Sequence, residues 1–428
     1  MNMAQKPKKP SSFQSPKGMH DLLPQEQGLW NLISEEAKEL LNFYGFLRID
    51  TPVVENAALF EVSVGEATDI VEKQMFVFKT RGDDRLVLRP EFTAGIVRSY
   101  IQNGLSHLSQ PLKVFTDGPV FRYEQPQAGR YRQFHQLDLE ILGGDDDPVY
   151  DIQVVLPLYR LLESLKIKKL TVQINTIGCK TCRPVYVKKL QDYFKGYQKQ
   201  LCKDCLRRLE TNPLRVLDCK NPECIKVKQG APSILDSICS FCNKHFKGFL
   251  EYVEELQLPY QLNTHLVRGL DYYNRTVFEI YAEGFDFALG GGGRYDYLVE
   301  MLGGRPTPAT GGSLGLERVI EVLKAENPVP FQRRRAKVFF IFIGALAKKK
   351  SLALIEEFRK AGVPIAESLG KDSLNAQLRT ANKEGSEYAL IFGQKEAFEE
   401  SIIIRDLKTG VQETIPLAKI VAEVKKRI

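Results

Sequence analysis

The chain has 428 residues, of which 43% are hydrophobic and 26% are charged. This length exceeds what one ordinary core can hold, so we expect two or three domains, and the composition excludes a disordered or fibrous protein. The formal net charge of +7 is compatible with a polyanionic partner but does not require one.

The N-terminal residues 1–16 are rich in Lys, Pro and Ser and contain no apolar stretch of the kind found in signal peptides. We therefore predict a flexible basic tail. The longest apolar run, Val338 to Ala347, has about half the length that spans a bilayer. We expect a cytoplasmic protein without a membrane-spanning segment.

A helix and several strands are predicted before the middle of the chain. Residues 25–44 carry an apolar stripe at helical spacing, and strands are predicted at 46–54, 75–79, 85–90, 113–124 and 132–143. A further hairpin is predicted from segments 276–281 and 285–296. Many strands at hairpin spacing favour an antiparallel sheet with flanking helices, so we predict an α+β fold.

All eight cysteines lie within one stretch, which reads as an insertion at residues 177–260 of an otherwise ordinary sequence. Reducing conditions argue against disulfides. Four pairs can supply two tetrahedral zinc sites, and free thiols in a helical insertion or redox chemistry are the alternatives. The spacing does not say which pairs would share an ion. The pairs are Cys179 with Cys182, Cys202 with Cys205, Cys219 with Cys224, and Cys239 with Cys242.

A second composition change marks the C-terminal part of the chain. Residues 326–335 combine prolines with a basic cluster and are predicted to form a linker. Beyond it, strands alternate with helices that end near Gly362 and Gly385. This alternation predicts a small parallel or mixed α/β domain at 336–428.

The segment from Gly118 to Glu140 is the most informative part of the sequence. In a hairpin, alternate residues share a face, so Arg122 and Glu124 should project together, as should Phe134, Gln136, Asp138 and Glu140. Fixed guanidinium donors suit a phosphate, and a Phe ring suits a stacked base. A surface hairpin with solvated charges is the alternative.

The glycine run 290–293 lacks the Lys-Ser/Thr of a Walker motif, so we expect it to serve close backbone packing.

Several motifs resemble those of the class II aminoacyl-tRNA synthetases, and of the histidyl-tRNA synthetases in particular. The pattern FRYE followed by RYRQF resembles motif 2, GGSLGLER resembles motif 3, and FLRIDTPV resembles the dimer-forming motif 1. LVRGLDYY and LGGGGRYD are similar to the signatures of the histidine enzymes. LRPEFTAG resembles their substrate loop. Phe92 stands where Gly is usual, so the backbone conformation of the loop at this position is expected to differ from that of the family. The resemblance runs from Lys17 to the C-terminus.

The resemblance implies a histidine–tRNA ligase. Such an enzyme activates histidine with ATP and Mg²⁺ to histidyl-adenylate, transfers it to the 3′ end of tRNA(His), and releases AMP and pyrophosphate. It implies histidine contacts for Glu91, Thr93 and Gln136 (ammonium), Arg268 and Arg122 (carboxylate side), Glu140 and Tyr273 (imidazole nitrogens) and Tyr272 (pocket lining).

For ATP, the resemblance implies that guanidinium groups hold the phosphates and that an aromatic ring stacks on adenine. Arg122 would hold the α-phosphate and, with Arg268, take the catalytic role. The full set is Arg122, Glu124, Arg130, Phe134 and Arg318. Guanidinium forks bind phosphate oxygens bidentately, which a Lys cannot do.

The resemblance also implies an architecture. A class II catalytic domain would occupy 17–325, interrupted by the insertion, and an anticodon-binding domain would occupy 336–428, in a homodimer. The insertion would lie near the rim of the active site and contribute to tRNA binding, with its cysteines in a structural role. Two other functions are alternatives to a histidine–tRNA ligase. One is the synthetase-like regulatory subunit of ATP phosphoribosyltransferase, and the other is a zinc-knuckle nucleic-acid-binding protein with decayed enzyme motifs.

Overall fold

The computed structural model describes residues 13–65, 68–127, 129–326, 336–370 and 373–428. The chain divides into two compact units, Met1–Val329 and Pro330–Ile428. The predicted tail at 1–16 lies outside the described residues except for its last four, and the predicted linker at 326–335 lies outside them except for Glu326. Among the described helices, none is both long and apolar enough to cross a membrane.

The first unit alternates strands and helices. Its first half consists of α1 Gln27–Phe43, β1 Leu47–Arg48, β2 Val54–Asn56, α2 Ala57–Val64, a π-helical turn Ile70–Gln74, β3 Phe76–Lys79, β4 Arg85–Leu88, α3 Thr93–Gln102, β5 Leu112–Phe121, β6 Gln133–Leu142 and α4 Val149–Ser164. Its second half consists of β7 Leu170–Thr176, α5 Cys182–Lys195, α6 Lys203–Thr211, a 3₁₀ turn Pro213–Val216, α7 Pro222–Lys228, α8 Ser240–Glu255, β8 Tyr260–Leu262, β9 Asn274–Ala282, β10 Gly290–Arg294, α9 Leu298–Met301, β11 Ala309–Gly315 and α10 Leu316–Glu326.

An eight-stranded sheet organises this unit, with the strand order β1-β5-β6-β11-β10-β9-β7-β8. Neighbouring strands are antiparallel from β5 to β7. The edge pairs β1 with β5 and β7 with β8 are parallel. The predicted α+β fold with an antiparallel sheet and flanking helices is confirmed, apart from these edges.

Helices cover one face of the large sheet, whereas the other face carries a second apolar core beside a group of polar residues. Leu137, Leu139 and Ile141 of β6 are buried in a core with apolar residues of α1, α4, α8 and α10. Because successive side chains on a strand alternate, Gln136, Asp138 and Glu140 point to the opposite face. Helix α4 approaches the sheet closely at Gly312, where an added Cβ would lie about 3 Å from Val154 and Leu158.

Two strand predictions need correction. The predicted strand 46–54 is broken, because β1 joins the large sheet while β2 joins a separate three-stranded sheet, β2-β4-β3. Between them the carbonyl of Thr51 accepts a hydrogen bond from the Arg89 side chain (2.8 Å). Pro52 has no backbone N–H, so it cannot donate a hydrogen bond to a neighbouring strand. The predicted strand 113–124 ends at Phe121, which leaves Arg122 and Glu124 in the following loop.

Strand β7 was not predicted, although its sequence alternates. Val172 and Ile174 are fully buried, and β7 pairs antiparallel with β9. Between β7 and β8 the chain forms α5 to α8, within the predicted insertion. Its residues Tyr186, Leu190 and Phe194 belong to a core that also includes Ile96 and Val277 of the rest of the unit. Helix α8 packs in the other core, with α1, α4 and α10.

The second unit is a smaller α/β layer structure. It consists of β12 Val338–Phe342, α11 Ala345–Lys360, β13 Ile365–Glu367, α12 Leu374–Glu384, β14 Tyr388–Phe392, α13 Gln394–Phe398, β15 Ser401–Asp406, β16 Gln412–Pro416 and α14 Leu417–Arg427. The sheet has the order β13-β12-β14-β15-β16. Its first three strands are parallel to one another, and the pairs β14–β15 and β15–β16 are antiparallel. The predicted mixed sheet is confirmed. Gly385 ends α12 in the left-handed conformation (φ +75°), as expected for a C-terminal glycine.

Candidate functional site

A cavity of about 720 Å³ opens on the polar face of the large sheet. Its floor is formed by the β5–β6 hairpin and by β9 to β11, and its lining belongs entirely to the first unit. Of the twelve residues predicted to bind small substrates, eleven line it: Glu91, Thr93, Arg122, Glu124, Arg130, Phe134, Gln136, Arg268, Tyr272, Tyr273 and Arg318.

The loop after β5 brings a cation and an aromatic ring together. The guanidinium carbon of Arg122 lies 5.2 Å from the centroid of the Phe134 ring, and its Nε donates to the carbonyl of Pro90 (2.9 Å). Glu124 lies 3.8 Å from Arg130 across the same loop. A flat apolar ring beside fixed guanidinium donors can hold a base next to a phosphate.

Arg318 enters the cavity from the first turn of α10. Its Nε donates to the carbonyl of Gly129 (3.2 Å) and its Nη1 to that of Ala288 (2.9 Å), which fixes its orientation. Burial lowers the pKa of Arg318, and the nearby Arg130 and Arg122 lower it further. Three guanidinium groups are thus gathered without a matching number of carboxylates, an arrangement that favours a polyanionic ligand.

Arg268 also lines the cavity, in an ion pair with Glu279. Burial acts to lower its pKa, but Glu279, Tyr273 and Tyr272 together outweigh burial, and the pKa of Arg268 is raised. Its Nε has no hydrogen-bond partner among the described residues. The glycine run of β10 packs beneath it, since a Cβ on Gly291 would lie 2.8 Å from Nη1 of Arg268. The expected close packing at 290–293 is confirmed.

The substrate loop ends at the start of α3. Glu91 accepts hydrogen bonds from the backbone N–H groups of Thr93 (2.7 Å) and Ala94 (2.9 Å), so its carboxylate is tied to the helix N-terminus. Burial raises the pKa of Glu91, against the effect of these hydrogen bonds. Phe92 has φ −99° and ψ −32°, a conformation open to any residue, and its buried ring lies under the guanidinium of Arg89 (4.2 Å). The loop therefore does not require glycine at this position.

Glu140 is the predicted residue that does not line the cavity. It lies in the layer behind Thr93, whose hydroxyl donates to it (2.6 Å), and Tyr295 donates to its other oxygen. Burial raises the pKa of Glu140 to about 8. Tyr272 and Tyr273 are buried in front of it, and burial raises the pKa of Tyr273 to about 12. The tyrosines act as hydroxyl donors throughout the physiological range.

Asp138 lines the cavity although it was not predicted as a site residue. It lies between Gln136 and Glu140 on the same face of β6, as strand alternation indicated. The insertion also supplies wall residues that were not predicted to line the cavity: Asp218, Lys220, Arg208 and Arg215.

The eight cysteines form two groups of four. One group joins the first and last pairs, and the other joins the two middle pairs; in each group all sulfur atoms lie within 4.8 Å of one another. Observed Sγ–Sγ separations are 3.3 Å (Cys179–Cys182), 3.6 Å (Cys182–Cys242) and 3.8 Å (Cys202–Cys219). A tetrahedron with Zn–S bonds of about 2.3 Å has sulfur atoms about 3.8 Å apart. Both groups fit zinc.

The middle cysteine group, Cys202, Cys205, Cys219 and Cys224, brackets the part of the insertion that reaches the cavity. Within that part, Arg208 and Arg215 bind the same oxygen of Asp69, at 2.9 and 3.0 Å. Asn212 donates to Asp271 of the signature loop (2.7 Å). The sequence placed the insertion near the rim, whereas the structure places Cys202 and Cys219 in the cavity wall itself.

Comparison with known families agrees with this geometry. A family model described as histidyl-tRNA synthetase matches residues 18–181 and 234–319. A second model, described as an anticodon-binding domain, matches residues 337–427.

Curated relatives are similar over almost the whole length. The chain is 43% identical to the histidine–tRNA ligase of Dehalococcoides mccartyi over 97% of the chain and 100% of the relative. It is 42% identical to that of Aquifex aeolicus over 96% of the chain and 100% of the relative. The crystal structure of apo histidyl-tRNA synthetase from S. aureus superposes with a TM-score of 0.80 at 30% identity, covering 97% of this chain and 100% of that one.

Proposed function

The chain belongs to the histidyl-tRNA synthetase family, and on that basis we propose that it joins histidine to the 3′ end of tRNA(His) at the expense of ATP. It is a class II aminoacyl-tRNA synthetase. The regulatory-subunit alternative is not favoured, because the ligases match nearly the whole chain, including the second unit. The observation that carries the proposal is the cavity in which three phosphate-type arginines face a buried carboxyl and tyrosine cluster.

ATP binds on the side of the cavity that carries the three arginines. Arg122 holds the α-phosphate, and Arg130 and Arg318 hold the outer phosphates. Adenine stacks on Phe134, with Glu124 beside it. The pKa of Arg318, lowered by burial and by the two neighbouring cations, supports this assignment, because a polyanion would relieve that repulsion. Mg²⁺, when bound, neutralises part of the phosphate charge.

Histidine binds on the side of the cavity that carries the tyrosines. Arg268 binds its carboxylate, Thr93 and Gln136 bind its ammonium group, and Tyr273 meets the imidazole. Glu91 and Glu140 support this pocket: Glu91 ties Thr93 to the start of α3, and Glu140 binds the Thr93 hydroxyl from behind. Tyr272 closes the pocket. Polar groups committed to an imidazole would be left unpaired by Phe or Leu, which disfavours such amino acids.

The chemistry follows from this placement. A carboxylate oxygen of histidine attacks the α-phosphorus, a new O–P bond forms, and the bond to pyrophosphate breaks. A ribose hydroxyl at the 3′ end of tRNA then attacks the carbonyl carbon, and AMP leaves. Arg122 and Arg268 touch the groups between which charge develops, so their fixed orientation stabilises the transition state.

We assign the remaining parts as follows. The catalytic domain is 17–325 with the insertion at 177–260, and the anticodon-binding domain is 336–428. The two cysteine groups each hold a structural zinc ion, which is supported by the fit of their sulfur spacing. A homodimer is supported by exposed apolar side chains near the motif 1 segment, such as Phe43 (81% exposed) and Leu47 (62%). The reaction takes place in the cytoplasm.

Exchange of pyrophosphate into ATP tests the proposal, measured with each of the twenty amino acids. We expect exchange with histidine alone. Equal stimulation by another amino acid would contradict the assignment, as would an absence of exchange from folded protein. The regulatory subunit would bind histidine without exchange, so the same assay separates the two functions.

A further inference from the structure

The outer cysteine group, formed by Cys179, Cys182, Cys239 and Cys242, lies where the insertion joins the rest of the unit. Its first two cysteines lie where the chain passes from β7 into α5, and its last two lie at the start of α8. The segments 177–183 and 239–242 form the neck of the insertion. Backbone N–H groups of Thr181, Cys239 and Cys242 donate to sulfur atoms of the group at 3.4 to 3.5 Å. Hydrogen bonds of this kind orient metal ligands.

One side chain of the neck reaches a residue of the cavity. Arg183 follows Cys182 directly, and its backbone N–H donates to the carbonyl of Cys179 (3.0 Å). Its Nη2 donates to the main-chain carbonyl of Tyr273, and its Nε donates to the carbonyl of Ile177 (3.4 Å). Tyr273 lines the cavity. A single residue therefore connects the outer cysteine group with the backbone of a residue that we place beside the imidazole.

The main chain makes a second connection between the same parts. The N–H of Ile177 donates to the carbonyl of Arg275 (2.7 Å), and the N–H of Arg275 donates to the carbonyl of Gly178 (2.9 Å). The guanidinium carbon of Arg275 lies 4.5 Å from the centroid of the Phe241 ring on α8. Arg275 has a φ of +53°, which is uncommon for a residue with a side chain. Such a conformation persists where the surroundings impose it, so the neck holds the backbone that follows Tyr273.

A metal ion would strengthen the connection through Arg183. Four thiolates around a divalent ion leave an excess of negative charge. Arg183 supplies the opposite charge, since its guanidinium interacts electrostatically with Cys179 and Cys182. Thiols alone attract one another only weakly, so an ion is what would join α5 and α8 firmly at this point.

We propose that Arg183 is a positioning residue for histidine, through which a metal ion in the outer cysteine group sets the place of Tyr273. The proposal rests on the proposed function, because it takes the ligand beside Tyr273 to be histidine. It concerns the insertion of this chain, since Arg183 lies just beyond residue 181, where the match to the family model is interrupted. ATP binding should depend less on this link, because Arg318 is held by the carbonyls of Gly129 and Ala288.

The first test removes the guanidinium and keeps the cysteines. In Arg183→Met, the KM for histidine in the exchange assay should rise roughly tenfold, as expected for the loss of a hydrogen bond from a charged donor. The KM for ATP and the zinc content should stay as in the wild type. Arg183→Lys keeps a donor and should recover part of the loss. Lys180→Met is the matched control, because it removes an exposed cation from the same neck and should leave both KM values unchanged.

The second test removes the metal. The double variant Cys239→Ser, Cys242→Ser should lose about one zinc ion per chain in elemental analysis, and its affinity for histidine should fall by a factor similar to that in Arg183→Met. Combining both changes should weaken histidine binding no further, because they break the same connection. Isothermal titration calorimetry with histidine measures the affinities of the four proteins, and thermal unfolding checks that each is folded.

Other outcomes overturn the proposal. An unchanged KM for histidine in Arg183→Met, or an equal rise in the KM for ATP, would show that Arg183 does not position Tyr273 for histidine. Additive effects in the combined variant would show that the metal does not act through Arg183, as would a wild type with less than about one zinc ion per chain. Arg183→Met keeps all four cysteines, so its result stands even if the double variant does not fold. A wild-type protein without histidine-dependent exchange would refute the proposed function instead.

Discussion

Two carboxyl groups two positions apart on β6 have opposite surroundings. Glu140 accepts hydrogen bonds from Thr93 and Tyr295, whereas Oδ2 of Asp138 has no hydrogen-bond partner in the part of the chain that the structure describes. Burial favours the neutral form of both. The two carboxyl groups differ in their hydrogen bonds, although both are almost fully buried.

The pKa of Glu140 predicts how stability depends on pH. An unfolded Glu loses its proton near its ordinary pKa of 4.5, whereas folded Glu140 keeps it up to about 8. Between these values the folded state binds more protons than the unfolded state, so this residue makes stability fall as pH rises. In Glu140→Gln this contribution is absent.

We therefore expect the melting temperature of the wild type to fall further between about pH 5 and about pH 8 than that of Glu140→Gln. Thermal unfolding followed by circular dichroism measures both curves. Asp138 contributes with the same sign in both proteins, and its contribution is smaller in Glu140→Gln because Glu140 helps to raise the pKa of Asp138, which adds to the expected difference. Parallel curves would contradict the raised pKa.

At the level of residues, the sequence predicted most of the residues that line the cavity, but it did not predict which buried carboxyl groups have hydrogen-bond partners. Arg122, Arg268 and Arg318 stand in motifs whose spacing is visible along the chain, and all three reach the cavity. Strand alternation also placed Asp138 on the correct face. Whether its oxygen has a partner depends on side chains from distant segments, and no local pattern carries that information.

Among the elements, the insertion contributes directly to the wall of the cavity. The middle cysteine group fixes both ends of the segment that carries Arg208 and Arg215, and these arginines hold Asp69 at the cavity wall. If zinc orders this segment, its loss should disturb binding of the small substrates as well as of tRNA. This differs from the expectation of a purely peripheral, tRNA-binding insertion.

We expect the double variant Cys202→Ser, Cys205→Ser to lose about one zinc ion per chain and to raise the KM for histidine or ATP roughly tenfold, since small displacements in a cavity wall have large effects. Elemental analysis and exchange kinetics measure the two effects. Asp69→Asn is the matched variant, because it should keep its zinc and show a similar rise in KM. Unchanged exchange in a zinc-depleted double variant would refute the coupling.

Element prediction succeeded where periodicity was local and failed where distant contacts decide. The helix at 25–44 and the C-terminal alternation follow their apolar spacing, and the structure confirms them. The segment 46–54 reads as one strand because its residues favour strands, but its two ends pair with different partners. The parallel edge pairs likewise depend on long-range topology, which short motifs do not encode.

For the whole molecule, truncation can test whether the first unit alone activates histidine and whether the second unit serves the charging of tRNA. All residues lining the cavity belong to the first unit. Deleting residues 336–428 should therefore leave histidine-dependent exchange largely intact while charging of tRNA(His) falls at least roughly tenfold, as expected when one of two linked binding surfaces is removed.

Exchange and charging assays on the truncated protein measure these two effects. Gel filtration is the control, because the truncated chain must keep the oligomeric state of the full-length protein. Charging at the full rate would show that the second unit does not serve tRNA binding. Loss of exchange from a folded first unit would show that activation depends on both units.

The insertion wall also bears on selective inhibition. The family model matches the chain on both sides of residues 182–233, and this intervening span supplies Cys202, Arg208, Arg215 and Lys220 to the cavity lining. The floor, which we propose to hold the substrates, is thus built from residues that the family model matches, and one wall includes residues outside that match. A compound anchored on the floor and extended towards this wall would distinguish this enzyme from relatives with a different insertion.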